Sequence, residues 1–342
     1  MYDTTYHRAS SVEEAARLAK GAAEAKYVSG GQTLIPAMKT RLSAPSDLID
    51  LRHIASLKGI TVSGRTVTIG AATPHADVAA SGELASVCPA LPSLASHIGD
   101  PHVRHMGTIG GSIANNDPAA DYPAAMLGLG ATIVTDRREI AADDFFTGLF
   151  ETALEDGEIV TAVTFEAPDA AGYAKFPNPA SRYAMTGVFV ARRGGDVRVA
   201  VTGAGNDGVF RAGELEAALA GDFSPAALEG KSVPASSMMS DMHANAEYRA
   251  NLVTVMAKRA VIAAGSGPVA TVRPDGDLTK AAEAVADEAQ KAGQAARAAV
   301  EETVKDARDT AGRAAEQVRE PVRSAPPVKK RGWLARLFGF GN

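Results

Sequence analysis

Two short stretches carry the residue types from which a phosphate site is built. Ser29-Gly30-Gly31-Gln32-Thr33, entered through Tyr27 and Val28 and left through Leu34, is the first. Thr108-Ile109-Gly110-Gly111-Ser112 is the second. Each sets adjacent glycines among small hydroxyl-bearing residues. Adjacent glycines let the main chain approach a ligand closely and take up positive φ without a Cβ penalty. Successive amides in such a turn form a concavity that binds anions, phosphates above all. One Gly-Gly pair alone is ordinary surface-turn chemistry; two of them suggest one extended, phosphate-bearing ligand held from two sides. The second stretch runs on through Asn115 and Asp121 to Pro123 with almost no helical or strand periodicity, so it reads as a loop.

Two other patterns invite chemistry and lead elsewhere. His97, His102 and His105 lie close together, and imidazole is a frequent metal ligand. Asp100-Pro101 breaks any helix between them, and no carboxylate or cysteine completes a ligand set at the required spacing. No metal site is expected, and these histidines are read as supports for the second stretch. Gly203-Ala204-Gly205-Asn206-Asp207-Gly208 is literally G-x-G-x-x-G after an apolar run. That fingerprint needs its last glycine to open a helix. Here Asn206-Asp207-Gly208 is hairpin-turn chemistry and Val209-Phe210-Arg211 reads as the returning strand, so no nicotinamide site is expected there. No set of side chains has the pattern of a catalytic acid, base or nucleophile.

The elements that must position the two stretches can be read in order. Ser11-Val12-Glu13-Glu14 fits a capping box opening a helix to about Ala25. Lys26–Val28 is a short strand, Leu34–Lys39 helical turns, and Leu48–Leu51 another strand. This βαβ-like opening carries its loop at a strand's carboxyl end, where open α/β sheets bind ligands. Ile60, Val62, Val67 and Ile69 alternate with polar residues about Ser63-Gly64-Arg65, a hairpin. Thr73-Pro74 has the form of a helix start, threonine as cap and proline first. Leu91–Ile98 reads as a helix leading to the second stretch through Asp100–Arg104, with helix Ala124–Leu129 and strand Ala131–Val134 beyond it. Strands around Lys175-Phe176-Pro177 and Tyr183–Val190, the hairpin, a helix over Gly213–Ala220 and a long helix from Tyr248 make a third unit.

Ser-Gly-Gly-Gln-Thr-Leu-Ile-Pro-x-Met-Lys followed, in order, by Gly-Thr-Ile-Gly-Gly-Ser and Asp-Pro-Ala-Ala-Asp resembles the two flavin loops of the FAD-binding subunits of molybdenum hydroxylases. This is the family of carbon monoxide dehydrogenase medium subunits and xanthine dehydrogenase flavin domains, and the resemblance runs from about Tyr6 to Ala264. It implies an α+β, two-subdomain FAD-binding fold of the vanillyl-alcohol-oxidase (PCMH-like) kind, with subdomains over residues 1–54 and 55–167 and a smaller α+β domain over 173–265. It also implies site roles. Ser29 to Thr33 and Thr108 to Ser112 would meet the FAD pyrophosphate and ribityl chain. Asp121, and less directly Asn115 and Lys175, would lie on the flavin side, and Tyr27 and Ile98 would pack on the ring system. Thr33 and Ser112 depart from the serine and asparagine common in the family, yet both keep a hydrogen-bonding side chain. The implied complex adds a large molybdopterin subunit and a small [2Fe–2S] subunit, in a dimer of heterotrimers, with electrons leaving FAD for an external acceptor (quinone, cytochrome or NAD). A self-contained flavin oxidase of the same fold is the alternative.

Past Gly265 the composition shifts. Lys280–Arg319 is rich in Ala, Glu, Lys, Arg and Gln with few large apolar residues, and Pro321–Pro327 follows, so 266–327 reads as a helical or disordered extension with a stiff linker. In 328–342, Lys329, Lys330, Arg331 and Arg336 accompany Trp333, Leu334, Leu337 and Phe338 at helical spacing. Such a segment suits a membrane interface bearing anionic lipid, or a partner protein. The whole chain has 342 residues, room for two or three domains, and a formal net charge of −5, which argues against a general nucleic-acid binder. Cys88 is the one cysteine, so this chain has no disulfide framework and no iron–sulfur ligand set of its own. Without a secretory leader or a run of spanning length, the expected location is cytoplasmic, with a peripheral place on the inner membrane face if the tail binds lipid.

Overall fold

The structure is a computed structural model that describes residues 1–265. The expectations for 266–327 and 328–342 therefore lie outside the described residues. The chain opens with β1 (Thr5–Arg8), α1 (Val12–Gly21), β2 (Ala25–Val28), α2 (Leu34–Lys39) and β3 (Asp47–Asp50). β3 lies between β1 and β2, all three parallel. The sequence pattern missed β1, a short strand of mostly polar and exposed residues with no apolar alternation. Ser11 caps α1 as expected, its hydroxyl accepting from the Glu14 amide at 3.1 Å. The Glu14 carboxylate returns to the Ser10 amide and hydroxyl, one residue earlier than in a capping box. α1 stops at Gly21, short of Ala25, because the residues from Ala25 onward are recruited into β2.

A second, antiparallel sheet has the order β4-β5-β10-β6-β7. Its strands β4 (Ile60–Ser63) and β5 (Thr66–Gly70) form the expected hairpin. Six short helices follow: α3 (His75–Ala80), α4 (Gly82–Val87), α5 (Ala90–Ser96), α6 (Pro101–Met106), α7 (Ile109–Asn115) and α8 (Tyr122–Leu129). Then come β6 (Thr132–Thr135), β7 (Glu139–Ala141), α9 (Ala142–Phe145), the small ribbon β8 (Phe146–Gly148) and β9 (Glu151–Thr152), and β10 (Val160–Glu166). Thr73 does not cap α3. Its hydroxyl bonds to the amide and carbonyl of Gly59, at 3.0 and 3.2 Å, and Pro74 takes the cap position. α8 is buried along its whole length and packs on the third sheet, which explains an apolar sequence with no polar face.

The third sheet is an antiparallel meander of β11 (Ala170–Pro177), β12 (Ala184–Arg193), β13 (Asp196–Thr202) and β14 (Phe210–Arg211). β13 turns into β14 through Gly203–Gly208, so the G-x-G-x-x-G run is a hairpin connection with no helix behind it. α10 (Gly213–Gly221) and α11 (Ala246–Gly265) cover this sheet, α11 lying along β11 and β12.

Candidate cofactor cleft

The first glycine stretch leaves an edge strand. Val28 ends β2 with its side chain in a small core beside Met38 and Leu48, and the chain then departs from the sheet. Gly31 has φ +71°, a conformation that costs any other residue a Cβ clash. α2 begins only at Leu34, and Thr33 makes no side-chain cap. In consequence the backbone amides from Ser29 to Leu34, six in succession, donate to no group among the described residues.

The second stretch behaves differently, and the loop expectation for it is corrected. Thr108 caps α7, its hydroxyl accepting from the Gly111 amide at 3.2 Å. The Ile109 and Gly110 amides donate to the carbonyls of Thr73 (3.2 Å) and Ala71 (2.8 Å), and that of Ser112 to Thr108 (3.0 Å). The first-turn amides are thus used up within the protein. What this stretch offers a ligand is the Thr108 amide, the Ser112 hydroxyl and the Asn115 side chain, none of which has a partner among the described residues. Ile109 turns into the main core, so any contact it makes there is through its backbone.

The two stretches meet. The Thr108 hydroxyl donates to Ser29 Oγ at 3.0 Å. A Cβ on Gly30 would stand 2.4 Å from the Met106 carbonyl oxygen and 2.5 Å from Gly107 Cα. A Cβ on Gly110 would meet Ala71 at 2.5 Å. Glycine is therefore demanded at 30 and 110 by backbone approach. From this contact a cleft of about 1540 Å³ extends both ways. Ligand pockets usually measure ~300–1,000 Å³, so this one suits an extended ligand.

At one end lie Lys20, Lys26, Tyr27, Arg137 and Asp156. The Tyr27 hydroxyl donates to the Gly157 carbonyl at 3.1 Å, and burial, helped by Asp136, pushes it up to about 12. At the other end lie Ile98, Val103, Asp117, Asp121, Arg182 and Tyr183. Asp121 is 4% exposed, and its carboxylate is 2.9 Å from Lys175 Nζ and accepts from the Tyr173 hydroxyl. Burial pushes the Asp121 carboxyl up, against the opposing pull of Lys175 and Tyr173. Lys175 also donates to the His97 carbonyl at 3.2 Å, so its ammonium is spent on protein groups behind the cleft wall. Arg104 donates to the next two carbonyls, Ile98 (2.9 Å) and Gly99 (3.2 Å), which fixes the segment that carries Ile98.

Asp117-Pro118-Ala119-Ala120-Asp121 is docked on the third sheet. The Pro118 carbonyl accepts from the Gly203 amide (2.8 Å) and the Thr202 hydroxyl (3.0 Å), Ala119 from the Ala184 amide (3.3 Å), and Ala120 from the same Thr202 hydroxyl (2.6 Å). The connection between β11 and β12 thereby brings Ser181, Arg182 and Tyr183 to the cleft, residues of a stretch that resembles carbon monoxide dehydrogenase-type medium subunits but that sequence reading did not assign to the cofactor site. His97, His102 and His105 do not buttress the second stretch. The first bonds its own helix at Ser93, and the other two are exposed on α6. His75 fills that place, its amide donating to the Gly107 carbonyl at 2.9 Å. A lone histidine at a helix start has no pattern by which sequence could have found it.

Residues 2–167 match the family model described as the FAD binding domain in molybdopterin dehydrogenase. The nicotine 6-hydroxylase medium subunit of Paenarthrobacter nicotinovorans is 34% identical over 275 residues, covering 76% of this chain and 97% of that subunit. This chain belongs to the same family of FAD-binding medium subunits. The carbon monoxide dehydrogenase medium chain of Afipia carboxidovorans is 38% identical over 277 residues, 75% of this chain and 94% of the relative. Among solved structures, a Cu,Mo-containing CO dehydrogenase matches at TM-score 0.68 and 35% identity, covering 78% of this chain and 99% of that one. Quinoline 2-oxidoreductase from Pseudomonas putida 86 matches at 0.66 and 27%, over 78% and 98%. The chain is thus an oxidoreductase subunit with an FAD-binding fold, and about a fifth of it extends beyond these relatives. The cleft fits that cofactor: six unpartnered amides suit a pyrophosphate, the Gly30–Gly107 approach lets a ligand reach them, and the volume accommodates a dinucleotide.

Proposed function

We propose that this medium subunit is the electron outlet of a molybdenum hydroxylase of the carbon monoxide dehydrogenase type. Substrate would be oxidised at molybdopterin on a large subunit, electrons would cross the [2Fe–2S] clusters of a small subunit, and they would leave through FAD here to an external acceptor. The observation that carries this reading is the run of amides from Ser29 to Leu34 facing a two-ended cleft. In this reading those amides hold the pyrophosphate, with Gln32 and Thr33 at its solvent side. The Thr108 amide, Ser112 and Asn115 secure the other face. Gly31, Gly110 and Gly111 shape the backbone, Tyr27 closes one end, and Ile98 with Tyr183 flanks the ring. Asp121, held by Lys175, fixes charge beside the ring, while Val28, Leu34 and Ile109 anchor the stretches in the core. Bound FAD itself supplies the redox chemistry.

The lone cysteine agrees, because the clusters must then sit on another chain. The divisions near residues 54 and 167 are the proposed limits of two halves enclosing the cofactor. No helix among the described residues is long and apolar enough to cross a membrane. The basic segment from Lys329 to Phe338 would instead hold the complex at an anionic lipid surface, which favours a membrane-borne acceptor such as a quinone. Purification of the native complex through this subunit tests the reading. A large molybdopterin protein and a small cysteine-rich one, with flavin and iron–sulfur absorbance, are the expected result. The chain alone, with or without flavin, would contradict it.

A further inference from the structure

We propose that Arg104 is a positioning residue for the ring end of the cofactor, holding the backbone of Ile98 and Gly99 from behind the cleft wall so that the Ile98 side chain meets the ring. The inference rests on the FAD reading above, which puts Ile98 beside the ring. Ile98 is half-buried, with the cleft on one side and the main core on the other. Arg104 is half-buried on α6, the next helix, and touches the wall at its backbone only.

The segment that carries Ile98 needs a holder. α5 ends at Ser96 and α6 begins at Pro101, so residues 97–100 make the turn between them. Gly99 takes φ +50°, and a Cβ there would stand 2.9 Å from the Val103 side chain, so the turn folds tightly onto α6. Glycine has the widest choice of backbone conformations, and peptide units beside it rotate easily unless they are bonded. No backbone amide among the described residues donates to the carbonyl of Ile98 or Gly99. Carbonyls at the end of a helix collect cations, and three converge here. Lys175 donates to the His97 carbonyl at 3.2 Å while also serving Asp121. Arg182 reaches Gly99 only at 3.5 Å, beyond the usual range of ~2.7–3.2 Å. Arg104 Nη1 donates to Ile98 at 2.9 Å and to Gly99 at 3.2 Å, and both hydrogen bonds of its guanidinium go to this turn. Among the described residues it is therefore the one donor to the Ile98 carbonyl and the nearer donor to that of Gly99.

The test compares FAD with ADP, which lacks the ring, as ligands of the full-length chain freed of flavin. Calorimetry gives affinities, and the visible spectrum of bound FAD gives a second readout. Arg104→Met is expected to weaken FAD on the order of tenfold, to leave ADP unchanged and to shift the flavin bands. Arg104→Lys, which keeps the charge and the donors on a shorter stem, recovers part of the affinity. A double-mutant cycle tests the route through Ile98. In an Ile98→Ala background, Arg104→Met should add little further loss for FAD, because the side chain it positions is already gone. Wild-type affinity and spectrum in Arg104→Met would overturn the proposal while leaving the FAD reading intact. Equal losses for FAD and ADP, or full additivity with Ile98→Ala, would overturn it too, reducing Arg104 to a general structural role. Failure of the wild-type chain to bind FAD would remove the reading and the inference together.

Discussion

At the scale of single residues, the site depends on what is missing as much as on what is present. Gly30 leaves no space for a Cβ against Met106 and Gly107. Gly30→Ala must push the two glycine stretches apart, an overpacking that costs about 1–3 kcal/mol. Its expected outcome is at least a tenfold loss of FAD affinity by flavin-fluorescence titration; unchanged affinity would show that the contact does not set the cleft. His75 gives a pH dependence. Its pKa falls from 6.5 to about 4 on folding, so between these values the unfolded chain binds a proton that the folded chain does not. Stability is complete above pH 6.5 and declines as pH falls towards 4, by about 3 kcal/mol. Urea unfolding of the flavin-free chain at pH 7 and pH 4.5 should show a smaller difference for His75→Asn than for wild type. Equal differences would assign the acid sensitivity to other groups. Ser29, Gly30 and Gly31 were legible as candidates because adjacent glycines among hydroxyl-bearing residues are unusual, and Asp121 through the family resemblance alone, whereas His75 was not, since its placement comes from burial and from partners distant in sequence.

At the scale of elements, two stretches with similar sequences do different work. The first follows an edge strand and keeps its amides free, while the second is the start of a helix whose amides are satisfied by Ala71, Thr73 and Thr108. Two adjacent glycines weigh against a helix by propensity. The fold overrides that through the Thr108 cap and through Ile109 and Ile113, one helical turn apart and both fully buried. The hairpins and α2 were legible from alternation and turn chemistry, while β1 and α6 were not, being short and polar. Docking of Pro118–Ala120 on the third sheet also escaped the sequence, because it uses carbonyls, which every residue has. Thr202 supplies much of that docking with one hydroxyl. Thr202→Val should cost about 1–2 kcal/mol by leaving those carbonyls underbonded, read as a lower urea midpoint at unchanged slope. An unchanged midpoint would mean that the Gly203 and Ala184 amides suffice.

At the scale of the molecule, the fold and cofactor class followed from the ordered pair of glycine stretches, while the terminal segment stands apart from what the relatives share. A tail of Lys329, Lys330 and Arg331 beside Trp333 to Phe338 predicts binding to vesicles containing anionic lipid, weakened by salt. Chain truncated after Glu320 should not sediment with such vesicles. Equal sedimentation of both forms would assign the tail to a protein partner or to no docking role.

The proposed route takes electrons out of the complex through FAD held between Ser29–Leu34 and α7. Limiting dithionite added anaerobically to the intact complex, followed by an electron acceptor, tests it with wild type and Gly30→Ala side by side. Iron–sulfur clusters are expected to be reduced alike in both, with delivery to the acceptor falling about as far as flavin content falls in the variant. Undiminished delivery from flavin-depleted complex would show that electrons leave by another route.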